Sequence, residues 1–281
     1  MKSTFKLGDY SLDLSQPQIM GILNITPNSF SDGGLYLDSK KAKEKAQAMI
    51  DEGATIIDIG GESTRPGAMA VSVDDELRRV IPLVEFVAKL DIPVSIDTSK
   101  AEVMRVAVDA GASLINDIYA LQNEGALETA ASLKVPVCLM HMQGSPQTMQ
   151  TEPQYDDVVT DIIDFFRHRI AACETAGIAK AQIILDPGFG FGKTLAHNFS
   201  ILNRLDEFKC LGLPILAGMS RKSMIAAIIN KPAQQRFSAS VALAILAWQA
   251  GASFIRVHDV AETKEALMMV TALEKSRNTD L

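Results

Sequence analysis

The sequence predicts a single (β/α)8 barrel, on three observations. Eight short β-rich runs alternate with segments of helical character. Most of these runs are continuously apolar, as in strands covered on both faces, which makes the sheet parallel. A Gly–Ala pair followed by apolar residues recurs where one helix should stop and the next strand begin. Eight strand–helix units in 281 residues is the count of that barrel. The competing open, doubly wound sheet carries a glycine-rich turn after its first strand, whereas here that strand ends in Asn24-Ile25-Thr26-Pro27.

The elements follow in order. Phe5–Leu14 alternates around Gly8-Asp9 and predicts a small hairpin covering the bottom of the barrel. The eight strands are expected at Ile19–Thr26, Thr55–Gly60, Val94–Thr98, Ser113–Ile118, Val135–His141, Gln182–Asp186, Pro214–Ser220 and Phe254–His258. Helices are expected at Ser39–Glu52, Val73–Leu90, Lys100–Ala110, Tyr155–Ala176 and Ser238–Ala250. Gly53, Gly111 and Gly251 open the repeated turn, with Gly177 in a looser copy, each where a left-handed residue would end a helix. No domain boundary is visible, so residues 1–281 form one domain with a core of about 15–275. The stretches Pro27–Asp38 and Glu62–Ser72, rich in Gly, Ser, Pro and Asp, follow the first two strands and read as long loops on the face where barrels do chemistry.

Composition excludes several roles. Hydrophobic residues at 47% supply a core, and charged residues at 22% are ordinary for a globular chain. The net charge of −7 argues against a general nucleic-acid or acidic-membrane binder. The longest purely apolar run, Val241–Trp248, is far short of the ~20 residues of a bilayer span. Cys138, Cys173 and Cys210 are odd in number and widely spaced, forming neither a zinc pattern nor a disulfide framework, which fits a reducing, cytoplasmic setting.

A barrel places its functional residues at the C-terminal ends of its strands. All eight runs end in polar residues there: Asn24, then Glu62 to Gly67, Asp97, Asn116-Asp117, His141, Asp186, Ser220 to Ser223, and Arg256 to Asp259. Asp97, Asn116 and Asp186 offer acceptors and an amide to a neutral heterocycle with donors on adjacent atoms. Arg65, Arg256 and His258 suit a phosphate or pyrophosphate. Ser220–Ser223 opens a helix straight after a strand, where N–H groups attract an anion. The expected pocket is therefore bipartite. Other motifs are discounted. Pro187 to Thr194 resembles a P-loop but has Pro187 where that spacing needs Gly. His141, His197, Cys138 and Asp186 lack a close metal-ligand spacing, and no Ser or Cys is paired with His141 or His258 by sequence spacing. Cys138 is expected to be buried and inert, Met140 and Met142 to be core or pocket wall, and Lys40–Lys45 to be a solvated helix face.

Seven motifs carry a resemblance: Met20 to Gly34, Asp58 to Gly67, Ser95-Ile96-Asp97-Thr98, Ile115-Asn116-Asp117, Leu185 to Lys193, Gly218 to Ser223, and Arg256 to Asp259. The chain resembles the dihydropteroate synthase family of bacterial folate biosynthesis over roughly Ser11 to Ala272. The resemblance implies condensation of 4-aminobenzoate with a dihydropterin bearing a hydroxymethyl pyrophosphate. It implies that Asp97, Asn116, Asp186 and Lys222 hold the pterin, with Arg256 flanking the ring and Met140, Phe191 and Arg221 also touching substrate. Thr64, Arg65, Arg256 and His258 would hold the pyrophosphate, and Asn24 would ligate Mg2+, with Asp32 closing over the site. Phe30, Thr64, Pro66, Lys222 and Ser223 would shape the aminobenzoate pocket, with the helix opening at Ser223 facing its carboxylate. Asp97, Arg65, Lys222 and Arg256 are the catalytic candidates.

The mechanism implied is dissociative: the cations and Mg2+ take up charge on the leaving group, and the arylamine attacks afterwards. A homodimer through outer helices and inhibition by sulfonamides, which mimic aminobenzoate, are also implied. One departure is Asn28, where the family commonly carries Asp. A methyltetrahydrofolate-dependent methyltransferase would share the strand-end Asp and Asn, but it has no pyrophosphate for the Thr64-Arg65 and Ser220–Ser223 features. A non-catalytic pterin-binding regulator would typically have lost Asn24, Asp32, Arg65 or Lys222, all of which are present.

Overall fold

The computed structural model describes residues 4–25, 34–64 and 67–278. A hairpin of β1 (Thr4–Leu7) and β2 (Tyr10–Asp13) precedes eight parallel strands. These are β3 (Gln18–Asn24), β4 (Ile56–Gly60), β5 (Val94–Asp97), β6 (Leu114–Asp117), β7 (Val137–Met140), β8 (Ile183–Asp186), β9 (Leu216–Ala217) and β10 (Phe254–Val257). The helices are α1 (Gly34–Asp51), α2 (Val73–Val87), α3 (Ala101–Asp109), α4 (Ala126–Leu133), α5 (Val158–Ala176), α6 (Leu195–Asn203), α7 (Ser223–Ile229), α8 (Phe237–Gln249) and α9 (Val260–Asn278). Strand order is β8-β7-β6-β5-β4-β3-β10-β9. The ring closes through a parallel bridge of Leu185 to Ile215, with Leu185 N–H donating to Pro214 O at 3.0 Å. This is the barrel that the sequence predicts, with a helix after each strand and the extra short α7 between β9 and α8.

The recurring Gly–Ala turn has a physical cause. Gly53, Gly111 and Gly251 take φ of +98°, +115° and +105°. In each turn the next residue's N–H reaches back five residues: Ala54 to Met49 O, Ala112 to Ala107 O, and Ala252 to Ala247 O, all at 2.9 Å. A left-handed glycine thus satisfies the last helical carbonyls and turns the chain into the next strand.

The seventh strand is shorter than Pro214–Ser220. It pairs with β10 only at Leu216 and Ala217, because the chain beyond folds into a turn in which Lys222 N–H donates to Met219 O at 3.2 Å. The long apolar cluster between strands and helices includes Ile57, Ile59, Val80, Leu139, Phe166 and Phe208. A second cluster fills the barrel's lower end, where Phe5 and Leu7 meet Met20, Ile56, Leu114, Cys138, Ile184, Leu216 and Phe254. The Phe5 and Phe254 rings meet edge-to-face at 5.8 Å. The hairpin therefore covers the bottom, as expected. Among the described residues no helix is long and apolar enough to cross a membrane.

Candidate active site

Strand geometry builds the site directly. Side chains alternate between the two faces of a strand. Two residues above the inward apolar layer, the same columns carry Asp58 (above Ile56), Asn116 (above Leu114), Met140 (above Cys138), Asp186 (above Ile184), Gly218 (above Leu216) and Arg256 (above Phe254). In β5 the same step leads from Ser95 to Asp97. The barrel thus changes from oil to polar groups within one rung.

Arg256 organises this layer. Its Nε donates to Asp58 Oδ2 and its Nη2 to Asp97 Oδ2, both at 2.7 Å. Asn116 Nδ2 also approaches Asp58, at 3.3 Å. Asp58 is fully buried, and the strand-end reading did not assign it a role. It sits mid-strand in an apolar run, and only its parity with Gly60 marks it as inward. Two carboxylates share one guanidinium, so the cluster keeps one negative charge when all three are ionised. Burial, with Asp58 opposing the pull of Arg256, pushes the Asp97 carboxyl up to about 7. Burial works against the charge on Arg256, but Asp58 and Asp97 overcome it and hold its pKa above the ordinary arginine value.

On the other side of the layer Asp186 is raised by burial, opposed by Lys222 and by the Gly188 N–H that donates to Asp186 Oδ1 at 2.7 Å. Lys222 Nζ donates to Phe189 O at 2.6 Å and lies 4.4 Å from the centre of the Phe191 ring. Burial pulls Lys222 down to about 8, with Asp186 opposing, so it stays mostly protonated at neutral pH. The loop after β8 is clamped onto the end of β7. Lys193, buried, contacts His141 Nδ1 at 3.0 Å and donates to Phe191 O at 2.9 Å. His141 is pushed down to about 2 by burial and by Lys193, which keeps it neutral. A Cβ at Gly188 would lie 1.9 Å from His141 O, and φ there is +72°, so only glycine fits. The resemblance of this loop to a P-loop is therefore one of glycine packing.

Asn24 ends β3 beside the same layer. A Cβ added at Gly60 would lie 3.0 Å from Asn24 Oδ1 and 3.6 Å from Asp97 Oδ2, so both side chains reach over the glycine. Thr64 and Asp97 line a cleft at the barrel mouth together with Glu62, Glu76, Lys100 and Tyr119. Lys100 Nζ is paired with both Glu62 and Glu76. The other oxygen of Glu62 accepts from Val71 N–H at 3.2 Å, which ties the far end of the second loop to its start.

His258 follows β10, and Ser220 Oγ lies 3.0 Å from its Nδ1. Sequence spacing offered no such serine; the adjacency of β9 and β10 supplies it. Arg221 is held by Asp259, with Nε to Oδ2 at 3.1 Å. Its backbone is left-handed at φ +60°, and Ser223, the first residue of α7, is exposed. Met140 is buried beside Asp186 in register. Cys138 is buried, and burial holds its thiol well above the usual range, so it is inert as expected. Phe30, Asp32, Arg65, Pro66 and Asn28 lie outside the described residues. The structure thus brings Asp97, Asn116 and Arg256 into one network, sets Asp186, Lys222 and Phe191 against it, and puts Asn24, Thr64 and His258 at the mouth.

Such a barrel, whose floor sets Asp58, Asp97, Asn116 and Asp186 around Arg256 and Lys222, offers donors and acceptors to a flat polar heterocycle. Residues 20–258 match the family model described as pterin binding enzyme. The chain is 57% identical over 263 residues to the dihydropteroate synthase of Escherichia coli K12, covering 93% of each. It superimposes at a TM-score of 0.93 on Yersinia pestis dihydropteroate synthase with a sulfonamide drug complex, at 55% identity, covering 97% of this chain and 99% of that one. It superimposes at 0.88 on Xanthomonas albilineans dihydropteroate synthase in complex with 7,8-dihydropteroate, at 45% identity, covering 96% and 98%. The chain belongs to the dihydropteroate synthase family of pterin binding enzymes.

Proposed function

We propose that the chain is a transferase that joins 4-aminobenzoate to (7,8-dihydropterin-6-yl)methyl diphosphate, releasing diphosphate and forming 7,8-dihydropteroate. The observation that carries this reading is the Asp58–Arg256–Asp97 cluster facing Asn116 and Asp186 on a barrel floor. Its surplus negative charge suits a pterin ring that becomes cationic as the diphosphate leaves. The family resemblance assigns the pterin to Asp97, Asn116, Asp186 and Lys222, and the diphosphate to Thr64, Arg65, Arg256 and His258. In the reaction, the bond from the methylene carbon to the diphosphate oxygen breaks first. Arg256, bound to two carboxylates on one side, holds Asp97 in place and favours its ionised form against burial. The arylamine nitrogen then bonds to that carbon and sheds one proton. Lys222, resting on Phe189 O beside Phe191, orients the pterin next to Asp186.

Among the described residues no group of three or more His, Cys, Asp or Glu side chains forms a metal cage. An Mg2+ would be held here in the way common to that ion, by one or two protein oxygens plus phosphates and water. Asn24 Oδ1 is the oxygen we assign to it. Bound there, the ion would neutralise charge on the leaving diphosphate.

We further propose a homodimer. Leu246 on α8 and Met268, Met269 and Leu273 on α9 are each at least half exposed, an apolar surface that supports pairing through the outer helices. The free cysteines support a reducing, cytoplasmic location. The reading is tested by incubating the purified chain with the pterin diphosphate, 4-aminobenzoate and Mg2+, omitting each in turn and assaying dihydropteroate. Product that requires all three supports it. Pterin binding without product would turn the assignment toward a methyltransferase or a regulatory protein. A sulfonamide should compete with 4-aminobenzoate, and inhibition that added aminobenzoate does not relieve would contradict the pocket assignment.

A further inference from the structure

Ser220 has no part in the chemistry above, yet its position is specific. It stands three residues past the end of β9 and is 5% exposed. His258 backbone N–H donates to its Oγ at 3.2 Å, and the same oxygen lies 3.0 Å from His258 Nδ1. A hydroxyl has one proton to give and two lone pairs. One lone pair takes the backbone N–H. If Nδ1 bore the ring proton, the other lone pair would take that as well, and the proton of a buried hydroxyl would need a third partner. Among the described residues Ser220 Oγ makes no hydrogen bond besides these two. A buried donor left unmatched loses its water partner and gains nothing in return, so the matched arrangement is favoured.

We propose that Ser220 donates to Nδ1 and thereby holds His258 in the neutral tautomer that carries its proton on Nε2. The imidazole then offers an N–H donor without carrying a charge. That is the polarity a diphosphate oxygen needs. The other tautomer would turn the Nε2 lone pair toward the anion's own. Ser220 is a positioning residue: it acts through His258 and touches no substrate. The inference deepens the reading of His258 as a diphosphate contact and rests on it for its purpose, but the tautomer itself can be measured without any substrate.

The test labels the four histidines of the full chain with 15N and reads each ring by two-bond N–H correlation above the histidine titration range. His258→Gln serves only to identify the signal. The expected spectrum has Nδ1 of His258 unprotonated and Nε2 protonated. In Ser220→Ala that pattern should relax to a mixture with the Nδ1–H form visible, and Ser220→Thr should restore it by keeping the hydroxyl. Protonated Nδ1 in the wild-type chain, or a pattern unchanged in Ser220→Ala, overturns the proposal. Inorganic diphosphate with Mg2+ is then added. A shift at Nε2, with about fivefold weaker binding in Ser220→Ala and recovery in Ser220→Thr, is the loss expected for one hydrogen bond. An unmoved Nε2 in a correctly tautomerised ring would overturn the diphosphate role of His258 and leave the tautomer standing.

Discussion

Asp97→Asn separates holding the pterin from making it react. The substitution keeps size and one acceptor oxygen but removes the charge. Asp58 remains bound to Arg256 Nε at 2.7 Å, so the arginine keeps a partner and the barrel should stay folded. In the wild-type cluster one guanidinium serves two carboxylates, leaving one negative charge to face the ring. A unit charge about 5 Å from a developing cation, at an effective dielectric of about 20, contributes about 3 kcal/mol. That is roughly two orders of magnitude in the chemical step. Weakening one hydrogen bond to the ground-state pterin costs about 1 kcal/mol, or about fivefold in affinity. The assay compares single-turnover rate with the Kd of an unreactive pterin for both proteins. The pH dependence adds a second check. Asp97 is pushed up to about 7, so its ionised, working form is gained as pH rises through that value. The wild-type rate should therefore climb through neutrality and the rate of the Asp97→Asn variant should not, the gap narrowing at acid pH. Equal losses in rate and affinity, or a gap that does not change with pH, would refute the argument and make Asp97 an anchor only.

Three further outcomes follow from the geometry. Lys100→Met strands Glu62 and the fully buried Glu76 without their shared cation and should destabilise the fold by about 3–5 kcal/mol in urea titration. Lys100→Arg should recover part of this loss. Gly188→Ala puts a methyl against His141 O and a side chain at φ +72°, so pterin affinity should drop at least tenfold as the Asp186 and Lys222 contacts shift; titration calorimetry checks this. Phe5→Ala empties the lower barrel and should cost about 3–5 kcal/mol of stability in thermal unfolding, with kcat unchanged at a temperature where the chain stays folded, because the chemistry lies at the other end.

Asp97, Asn116, Asp186 and Arg256 were legible because they end apolar strands whose parallel pairing forces polar side chains to the same mouth. The helix-ending turns were legible because Gly53, Gly111 and Gly251 repeat one local requirement, a left-handed backbone. Asp58 was hidden because an acid inside an apolar run looks like an interruption until strand parity is followed. The Ser220–His258 pair was hidden because 38 residues separate its members and only the β9–β10 adjacency joins them. The pairing of the Arg221 guanidinium with Asp259 was hidden for the same reason, 38 residues of separation bridged by the fold. Four helices, α4, α6, α7 and α9, had no sequence bounds. In α7 the cause is visible: it stops after two turns at Asn230, left-handed at φ +45°, just before Lys231-Pro232.

On this mechanism the polar floor lets the diphosphate depart before the arylamine arrives. The most direct measurement is diphosphate release by the purified chain with the pterin diphosphate and Mg2+ present and 4-aminobenzoate withheld. Slow release should persist without aminobenzoate, stop without Mg2+, and fall about a hundredfold in Asp97→Asn. Release that is absent without aminobenzoate and rises in strict proportion to it would contradict ionisation first.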